Sequence, residues 1–233
     1  MDRSEEEITS QGLASPGDSR STWRSGRGPR KTLLVEDHAM VREGLLMLLD
    51  QRLPGHLWRD AATLAAAVRL LRNAPDINLV LLDLDLSDSR GLVTLERVRE
   101  AAPQVPVVVL SAHDSRDQVL AAIELGAAGF LSKTVDAEQL VRGVQQVLAG
   151  GVILPATFNP AEPHDVQGQP ELSDRQRDVL RLLIDGLSNK LIGRALDLTE
   201  ATVKSHLQQV YRKLGVESRT QAVVAAARWR LKL

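Results

Sequence analysis

The sequence predicts an α/β domain built on a doubly wound, parallel sheet of five strands, followed by a small all-α domain. Between residues 31 and 150, short apolar runs alternate five times with amphipathic helical segments. This alternation is typical of a parallel sheet that is covered by helices on both faces. Residues 171–233 show only helical periodicity and helix-capping residues, which indicates a separate helical unit.

The central strand is predicted immediately before Asp83. Residues 79–82 are four consecutive apolar residues, and apolar side chains on both faces are typical of a strand inside a parallel sheet. Ligands of such sheets gather outside the carboxyl ends of the strands, so Asp83 is expected to lie at a functional edge. The other strands are expected at residues 32–35, 56–58, 106–111 and 129–132.

The helices are predicted from apolar residues at helical spacing and from capping residues. Asp114 is expected to cap a helix that ends at Gly126, because glycine is favoured in the left-handed turn that closes a helix. Asp136, three residues before Gln139, resembles a capping box at the start of the next helix. The other helices of the first domain are expected at residues 39–50, 61–71 and 92–100, and those of the second domain begin at the caps Ser173, Ser188 and Thr199 or span residues 219–229.

The composition of the 233 residues excludes several kinds of site. Because the chain has no cysteine, it contains no disulfide framework, cysteine nucleophile or thiolate zinc site. No apolar run approaches the roughly 20 residues that a membrane-spanning helix needs. The first residues include three consecutive glutamates and lack the apolar core of a secretory signal. A cytoplasmic protein without a membrane partner is therefore expected.

Charge and proline content divide the chain into four segments. Residues 1–30 are rich in Ser, Gly, Arg and Pro and are expected to form a disordered N-terminal tail. Residues 31–150 carry a net charge of −4, whereas residues 171–233 carry +5. Between them, residues 151–170 contain four prolines and are expected to be a linker. An acidic domain followed by a basic one suggests a cation or phosphate site followed by a module that binds a polyanion.

Polar and charged residues follow four of the predicted strands, namely Glu36 and Asp37, Asp83, Ser111, and Lys133. Because parallel strands end at the same edge of a sheet, these side chains are expected to converge. Three carboxylates repel one another unless a cation neutralises them, and an all-oxygen set of ligands suits Mg²⁺. Mg²⁺ and a lysine are what phosphoryl transfer to a carboxylate requires, and a nearby hydroxyl could then bind the phosphoryl group.

The first domain resembles the receiver domain of two-component response regulators, which has a flavodoxin-like fold. The resemblance covers about residues 31–150 and rests on the segments 35–38 (Val-Glu-Asp-His) and 129–133 (Gly-Phe-Leu-Ser-Lys), with Asp83 and Ser111. It implies that Asp83 is the phosphoacceptor. It further implies a Mg²⁺ site formed by Glu36, Asp37, Asp83 and the main-chain carbonyl of Asp85, with Lys133 as the phosphate-binding cation, Ser111 as the switch hydroxyl and Phe130 as the aromatic residue that follows the switch.

The chain departs from this pattern in the loop after the central strand. Residues 86–91 lack the Met-Pro-Gly pattern of the family, and Asp88 is expected to add a further negative charge near the metal. Glu36 also stands where the family more often has aspartate. These departures affect the metal affinity and the lifetime of the phosphoryl group rather than the chemistry.

An enzyme is a remote alternative. The pair Asp83 and Asp85 resembles the Asp-x-Asp motif of haloacid-dehalogenase-type phosphatases, in which the second aspartate is a general acid. That motif normally opens on the first strand, whereas Asp83 ends the third predicted strand. A protein that is not an enzyme is therefore expected.

The second domain resembles the LuxR-type helix-turn-helix module of the NarL/FixJ class in four segments, residues 172–180, 186–190, 202–207 and 213–216. The helix after Thr199 is predicted to divide into an apolar packing face and a polar face that can enter the major groove. The start of the preceding helix suits phosphate contacts, because a helix N-terminus favours anions. The expected DNA-binding residues are Ser188, Asn189, Lys190, Thr202, Lys204, Ser205, His206, Gln208 and Arg212.

Together the two resemblances imply a response regulator and transcription factor. A sensor histidine kinase is expected to phosphorylate Asp83, and the protein is then expected to bind a promoter operator of two half-sites as a homodimer. The helix at residues 220–227 is the expected dimer surface. Because the domains carry opposite charge, the first domain is expected to cover the Lys204 face until phosphorylation releases it. An orphan regulator that works without phosphorylation is the alternative.

Overall fold

The computed structural model describes residues 31–155, 158, 170–229 and 231. The predicted N-terminal tail and most of the predicted linker lie outside the described residues. Within those residues, no helix combines the length and the apolar character that crossing a membrane requires.

The first domain contains a five-stranded parallel sheet with the strand order β2-β1-β3-β4-β5. This order confirms the predicted doubly wound, flavodoxin-like α/β fold. The strands are β1 (Lys31–Val35), β2 (Leu57–Ala61), β3 (Ile77–Asp83), β4 (Val107–Ser111) and β5 (Gly129–Ser132). The helices between and after them are α1 (Ala39–Arg52), α2 (Leu64–Asn73), α3 (Leu92–Ala101), α4 (Arg116–Glu124) and α5 (Ala137–Leu148).

Helices cover both faces of this sheet. Successive side chains of a strand point to opposite faces, so each central strand contributes to two apolar cores. Val80 and Leu82 pack with α2, α3 and α4 on one face, while Leu79 and Leu81 pack with α1 and α5 on the other. All four side chains are fully buried, which is why the sequence before Asp83 is apolar without interruption.

Two helices begin later than the sequence predicts. Ala61 is the last residue of β2 rather than part of a helix, and α2 begins after Thr63, whose side chain accepts a hydrogen bond from the N–H of Ala66. Ser115, not Asp114, caps α4 by accepting from the N–H of Gln118. In both places a hydroxyl that satisfies a free N–H group fixes the start of the helix.

The first residues of the predicted linker belong to the first domain. Ile153 lies beside the edge strand β5, and its carbonyl accepts a hydrogen bond from the N–H of Phe130 at 2.9 Å. Val152 is buried. The first domain therefore extends into the predicted linker at least as far as these residues.

The second domain is all-α, as predicted. Its helices are α6 (Asp174–Ile184), α7 (Asn189–Leu196), α8 (Glu200–Leu214) and α9 (Arg219–Arg228). The capping box of Ser173 with Gln176 is present, and Ser188 and Thr199 cap α7 and α8. Gly215 ends α8 with a φ of +68°, which glycine adopts without strain. These helices enclose a separate apolar core.

Candidate acidic site and nucleic-acid interface

Glu36, Asp83 and Lys133 meet at the edge of the sheet where the strands end. Lys133 Nζ donates hydrogen bonds to Glu36 Oε2 at 2.6 Å and to Asp83 Oδ2 at 2.7 Å. Glu36 is fully buried and Asp83 is only 3% exposed. Since 97 residues separate Glu36 from Lys133 along the chain, only the parallel order of the strands brings them together.

The electrostatics of this cluster leave an excess of negative charge. Burial raises the pKa of Asp83, and the neighbouring charge of Glu36 adds to this effect, while hydrogen bonds from Lys133 and the Asp85 main chain oppose it. Burial alone would lower the pKa of Lys133, but its bonds to Asp83 and Glu36 hold that pKa above 10.5. Lys133 is therefore charged at neutral pH, and its single positive charge is shared by two carboxylates.

Asp37 and His38 extend the cluster towards solvent. Possible ligand atoms of Glu36, Asp37, His38 and Asp83 all lie within 4.8 Å of one another. His38 Nδ1 lies 2.8 Å from Asp37 Oδ1 and 3.1 Å from Glu36 Oε1. Three carboxylates at this spacing fit a hard divalent cation such as Mg²⁺, and the sequence did not single out the imidazole beside them.

Asp85 takes part through its main chain. Its N–H donates to Asp83 Oδ1 at 3.2 Å, whereas its side chain is exposed. Asp85 and Asp37 line a cavity of about 300 Å³ with His38 and Arg90. The Asp85 residue thus borders the acidic cluster without adding its carboxylate to it.

Ser111 and Phe130 lie in the neighbouring strands β4 and β5. The Ser111 side chain is fully buried, and its Oγ accepts a hydrogen bond from the N–H of His113 at 3.1 Å. The carbonyl of Ser111 accepts from the N–H of Lys133 at 2.7 Å, which ties the end of β4 to the lysine loop. Phe130 is fully buried in the apolar core between the sheet and α2, α3 and α4.

Arg42 braces the loop between β1 and α1, a role that the sequence did not reveal. Its Nη1 donates to the carbonyl of Glu36 at 2.8 Å, and its Nε donates to Asp60 Oδ2 at 3.0 Å. The sequence places Arg42 only on the polar side of α1. Its position beside the acidic loop depends on the pairing of β1 with β2, which brings Asp60 within reach.

Asp88 does not contribute its charge to the acidic cluster, contrary to expectation. Its carboxylate accepts hydrogen bonds from the N–H groups of Leu64 at 2.8 Å and Ala65 at 3.0 Å, at the start of α2. Desolvation tends to raise the pKa of Asp88, but the bonds from Ala65 and Leu64 outweigh it and hold that pKa below 3.8. Asp88 therefore ties the loop after β3 to the N-terminus of α2.

Asp88→Ala is expected to lower the free energy of unfolding by about 1 kcal/mol at pH 7, because two N–H groups of α2 lose their acceptor. Asp88→Asn keeps an acceptor and should cost less. Since the folded state lowers the Asp88 pKa, the carboxylate stabilises the fold above pH 3.8 and less as the pH falls below that value. Urea unfolding of the three proteins at pH 7 and pH 3 measures both effects. If Asp88→Ala and the parent protein are equally stable at pH 7, the Asp88 carboxylate does not stabilise the start of α2.

In the second domain, α8 has the predicted two faces. Val203 and Val210 are fully buried, and Leu207 is 3% exposed. The opposite face is polar and exposed over three turns of helix. It carries Lys204, Ser205, Gln208 and Arg212.

Apart from Lys190, the remaining predicted DNA-binding residues are only partly exposed. The Thr202 hydroxyl is hydrogen-bonded to the Thr199 hydroxyl at 2.8 Å. His206 is half-buried, and its Nδ1 is buried without a hydrogen-bond partner among the described residues, so this edge of the ring faces the interior. At the start of α7, the Ser188 side chain accepts from the N–H of Leu191, and Lys190 is exposed. The structure therefore brings Lys190 and the outer face of α8 to the surface.

Hydrogen bonds join α9 to the first domain. The Thr220 hydroxyl donates to the carbonyl of Ala128 at 3.0 Å. The Gln221 Nε2 donates to the carbonyls of Ile123 at 3.2 Å and Glu124 at 3.0 Å, at the C-terminus of α4. Because the last carbonyls of a helix lack intrahelical partners, they are ready acceptors for the Gln221 amide.

Apolar burial accompanies these bonds. Val224, one turn further along α9, is 4% exposed and belongs to the core of the first domain. Arg228 and Glu124 form an ion pair of 3.4 Å at the edge of the contact, beside a cleft of about 460 Å³. The face of α9 that was expected to pair with a second copy is therefore packed against α4.

The expectation that the first domain covers the Lys204 face is wrong for this structure. Lys204 and Gln208 are exposed on α8, whereas Thr220 on α9 is only 1% exposed. The opposite net charges of the two domains predicted the wrong contact surface on the second domain. The domains instead meet through main-chain carbonyls and apolar side chains. Of the polar contacts between α9 and α4, only the pair of Arg228 with Glu124 joins opposite charges.

Two family models match the chain. Residues 32–145 match the response regulator receiver domain, and residues 170–226 match the luxR family of bacterial regulatory proteins. The two matches coincide with the α/β domain and with the four-helix domain.

Known proteins are similar along most of the chain. A glycerol metabolism activator of Pseudomonas putida is 35% identical over 208 residues, which cover 84% of this chain and 94% of that protein. The nitrate/nitrite response regulator NarL of Escherichia coli (strain K12) is 32% identical over 208 residues, which cover 86% and 96%. The structure of a complex of the response regulator RcsB with DNA covers 86% of this chain and 98% of that chain, with a TM-score of 0.53. At 18% identity, this last likeness shows the fold alone.

The two matched domains occur in the same order and cover most of the described residues. Both curated relatives are more than 30% identical over nearly their whole length. The chain therefore belongs to the two-component response regulators that regulate transcription, with a receiver domain followed by a luxR-family DNA-binding domain.

Proposed function

We propose that a sensor histidine kinase phosphorylates this regulator on Asp83 in the cytoplasm and that the phosphorylated protein binds an operator as a homodimer. The observation that carries the proposal is the bridge from Lys133 Nζ to both Glu36 and Asp83, beside the carboxylate of Asp37. We assign residues 31–150 to the receiver, 151–170 to the linker and 171–233 to the DNA-binding domain, after a tail at residues 1–30.

The arrangement suits acceptance of a phosphoryl group by a carboxylate. An Asp83 oxygen forms the new bond to phosphorus, and the bond from phosphorus to the phosphodonor breaks with its electron pair going to the donor. Lys133 already lies 2.7 Å from Asp83 Oδ2, so its ammonium can bind an oxygen of the transferred group. Mg²⁺ held by Glu36, Asp37 and Asp83, with the Asp85 main-chain carbonyl, would neutralise the other phosphoryl oxygens.

Ser111 is the residue through which the phosphoryl group can change the receiver. Its Oγ accepts a hydrogen bond from His113, so its hydroxyl proton can be donated to a phosphoryl oxygen. Ser111 ends β4, and the following loop leads to Ser115 at the start of α4. A shift of Ser111 towards Asp83 would therefore displace α4, the helix to which α9 is bound. Phe130 lies in the adjoining core and can repack at the same time.

The exposed face of α8 suits the major groove of DNA. Lys204 and Gln208 are long enough to reach base edges, and Lys190 lies at the N-terminus of α7, where an anion is favoured. In the same arrangement, Ser188 and Asn189 would contact the DNA backbone, and Ser205 and Arg212 would lie along the major groove. Two copies related by a two-fold axis would read two half-sites.

The packing of α9 on α4 supports a closed state of the unmodified protein, in which the receiver binds α9. In the open state, α9 is released from α4. One face of α9 cannot pack on the receiver through Thr220 and Val224 and at the same time pair with a second copy. Release of α9 from α4 would therefore precede dimer formation. Phosphorylation favours release if it moves α4 even slightly, because hydrogen bonds weaken steeply when their geometry is lost.

Gln221→Glu is expected to open the unmodified protein. The carboxylate keeps an acceptor for the N–H of Ser218 at the start of α9, but it cannot donate to the carbonyls of Ile123 and Glu124 and repels them. Two lost hydrogen bonds at about 0.5–1.5 kcal/mol each shift the balance towards the open state about tenfold or more.

The measurement is the operator affinity of the unmodified protein, which should rise by about the same factor. Gln145→Glu makes the same charge change on the exposed side of α5 and serves as the control. If unmodified Gln221→Glu binds the operator no better than the parent protein, the contact of α9 with α4 does not restrain DNA binding.

Footprinting of DNA upstream of the protein's own gene tests the proposed function. The unmodified protein and the protein treated with Mg²⁺ and acetyl phosphate are compared at equal concentrations. Protection of two half-sites only after treatment is the expected result. Equal protection by both forms would favour the orphan regulator, and steady release of phosphate over many turnovers would favour the phosphatase.

A further inference from the structure

Arg219, the first residue of α9, is packed beneath the turn between α6 and α7. Its Nη1 donates to Asn189 Oδ1 at 3.2 Å. Its Nη2 donates to the carbonyl of Leu187, and the carbonyl of Leu183 lies 3.4 Å from the same nitrogen. One guanidinium thus holds the end of α6, the turn and the first residue of α7.

The charge of Arg219 is not neutralised by a carboxylate among the described residues. Its hydrogen bonds go to one side-chain amide and two main-chain carbonyls. Burial lowers the pKa of Arg219, yet a guanidinium stays protonated in proteins. A half-buried positive charge therefore lies beside the first residue of α7, at a helix end that is itself positive.

Two main-chain N–H groups in the first turn of α7 have no intrahelical acceptor. The Ser188 side chain accepts from the N–H of Leu191, and its carbonyl accepts from the N–H of Ile192. The N–H groups of Asn189 and Lys190 precede the first intrahelical bond, so they remain available at this helix end. Lys190 is itself exposed.

We propose that Arg219 is a positioning residue for a DNA phosphate at the N-terminus of α7. By holding Asn189 and the preceding turn, it fixes the direction of the N–H groups that meet the phosphate, and its charge adds to their attraction. Arg219 does not touch the phosphate itself. This inference rests on the proposed contact between the α7 N-terminus and DNA.

The test compares Arg219→Lys, Asn189→Ala and the double variant in the full-length phosphorylated protein. Affinities for the footprinted operator and for random DNA are measured over a range of salt concentrations. Each single variant should weaken binding to both DNAs about tenfold, because one phosphate contact that is independent of sequence is lost. The double variant should be little weaker than either single one, since both changes remove the same contact.

Controls separate this role from a purely structural one. Arg181→Ala removes an exposed arginine of α6 that pairs with Asp178, and it should leave both affinities unchanged. If Arg219→Lys lowers only the melting temperature, while both affinities at 20 °C below it match the parent, the proposal is wrong. Additive losses in the double variant would also overturn it. Lys190→Ala tests the underlying phosphate contact separately, because an unchanged salt slope in that variant would refute the contact itself.

Discussion

Replacing Asp83 with asparagine is expected to abolish phosphorylation of the protein by acetyl phosphate in the presence of Mg²⁺. The parent protein should gain one acyl phosphate that is stable in acid and labile in base, detected by mass spectrometry or on a phosphate-affinity gel. An amide oxygen carries no negative charge and is a far weaker nucleophile, so the variant should show no modification. Undiminished phosphorylation of Asp83→Asn would show that the acceptor is another residue.

Asp85→Asn is the matched control for this experiment. It makes the same substitution two residues away, in an exposed side chain, and keeps the main-chain carbonyl that is assigned to the metal site. The acyl phosphate should form at a similar rate. If Asp85→Asn is also inactive, the Asp85 carboxylate takes part in the chemistry, as the general acid does in the phosphatase alternative.

The second large effect is expected in the DNA-binding domain, where two substitutions should weaken binding in different ways. Lys190→Ala should weaken binding to every sequence and reduce the salt slope by about one unit, because a phosphate contact is independent of sequence. Gln208→Ala should mainly reduce discrimination between operator and random DNA, by about 1–3 kcal/mol for a good base contact. Titrations of both DNAs at several salt concentrations measure the two effects.

Arg97→Ala is a control for the change in charge. Arg97 lies on α3 of the receiver and pairs with Glu100 on the surface, so its loss should leave the salt slope unchanged. Equal losses on operator and random DNA for both Lys190→Ala and Gln208→Ala would overturn the assignment of base and phosphate contacts.

The sequence was sufficient to predict the strands and the meeting of Glu36, Asp83 and Lys133. An uninterrupted apolar run before Asp83 requires a strand buried on both faces, and parallel strands must present their ends on one edge. The apolar and polar faces of α8 were predictable for a similar reason, since helical spacing assigns each side chain to one side.

Contacts between elements could not be predicted in this way. Asp88 was expected near the metal because it is close to Asp83 along the chain, but two N–H groups at the start of α2 hold it instead. The role of Arg42 depends on Asp60, which strand pairing brings close. No periodicity or charge pattern reports such contacts, because they depend on where loops and helix ends meet in the folded chain.

The interface between the domains shows the same limit. Opposite net charges suggested that the receiver covers Lys204, yet the contact is made by Gln221, Thr220 and Val224 on α9. Gln221 also belongs to the capping box of α9, and from the sequence this local role would account for it fully. Only the structure shows that its amide nitrogen reaches α4 while its oxygen caps its own helix.

The most direct test of this account is the operator affinity of the full-length protein before and after treatment with acetyl phosphate and Mg²⁺, in the parent and in Asp83→Asn. If phosphorylation of Asp83 frees α9 from α4, treatment should tighten binding by the parent about tenfold or more and leave Asp83→Asn unchanged. Equal affinity of the treated and untreated parent, under conditions in which the acyl phosphate forms, would contradict the account.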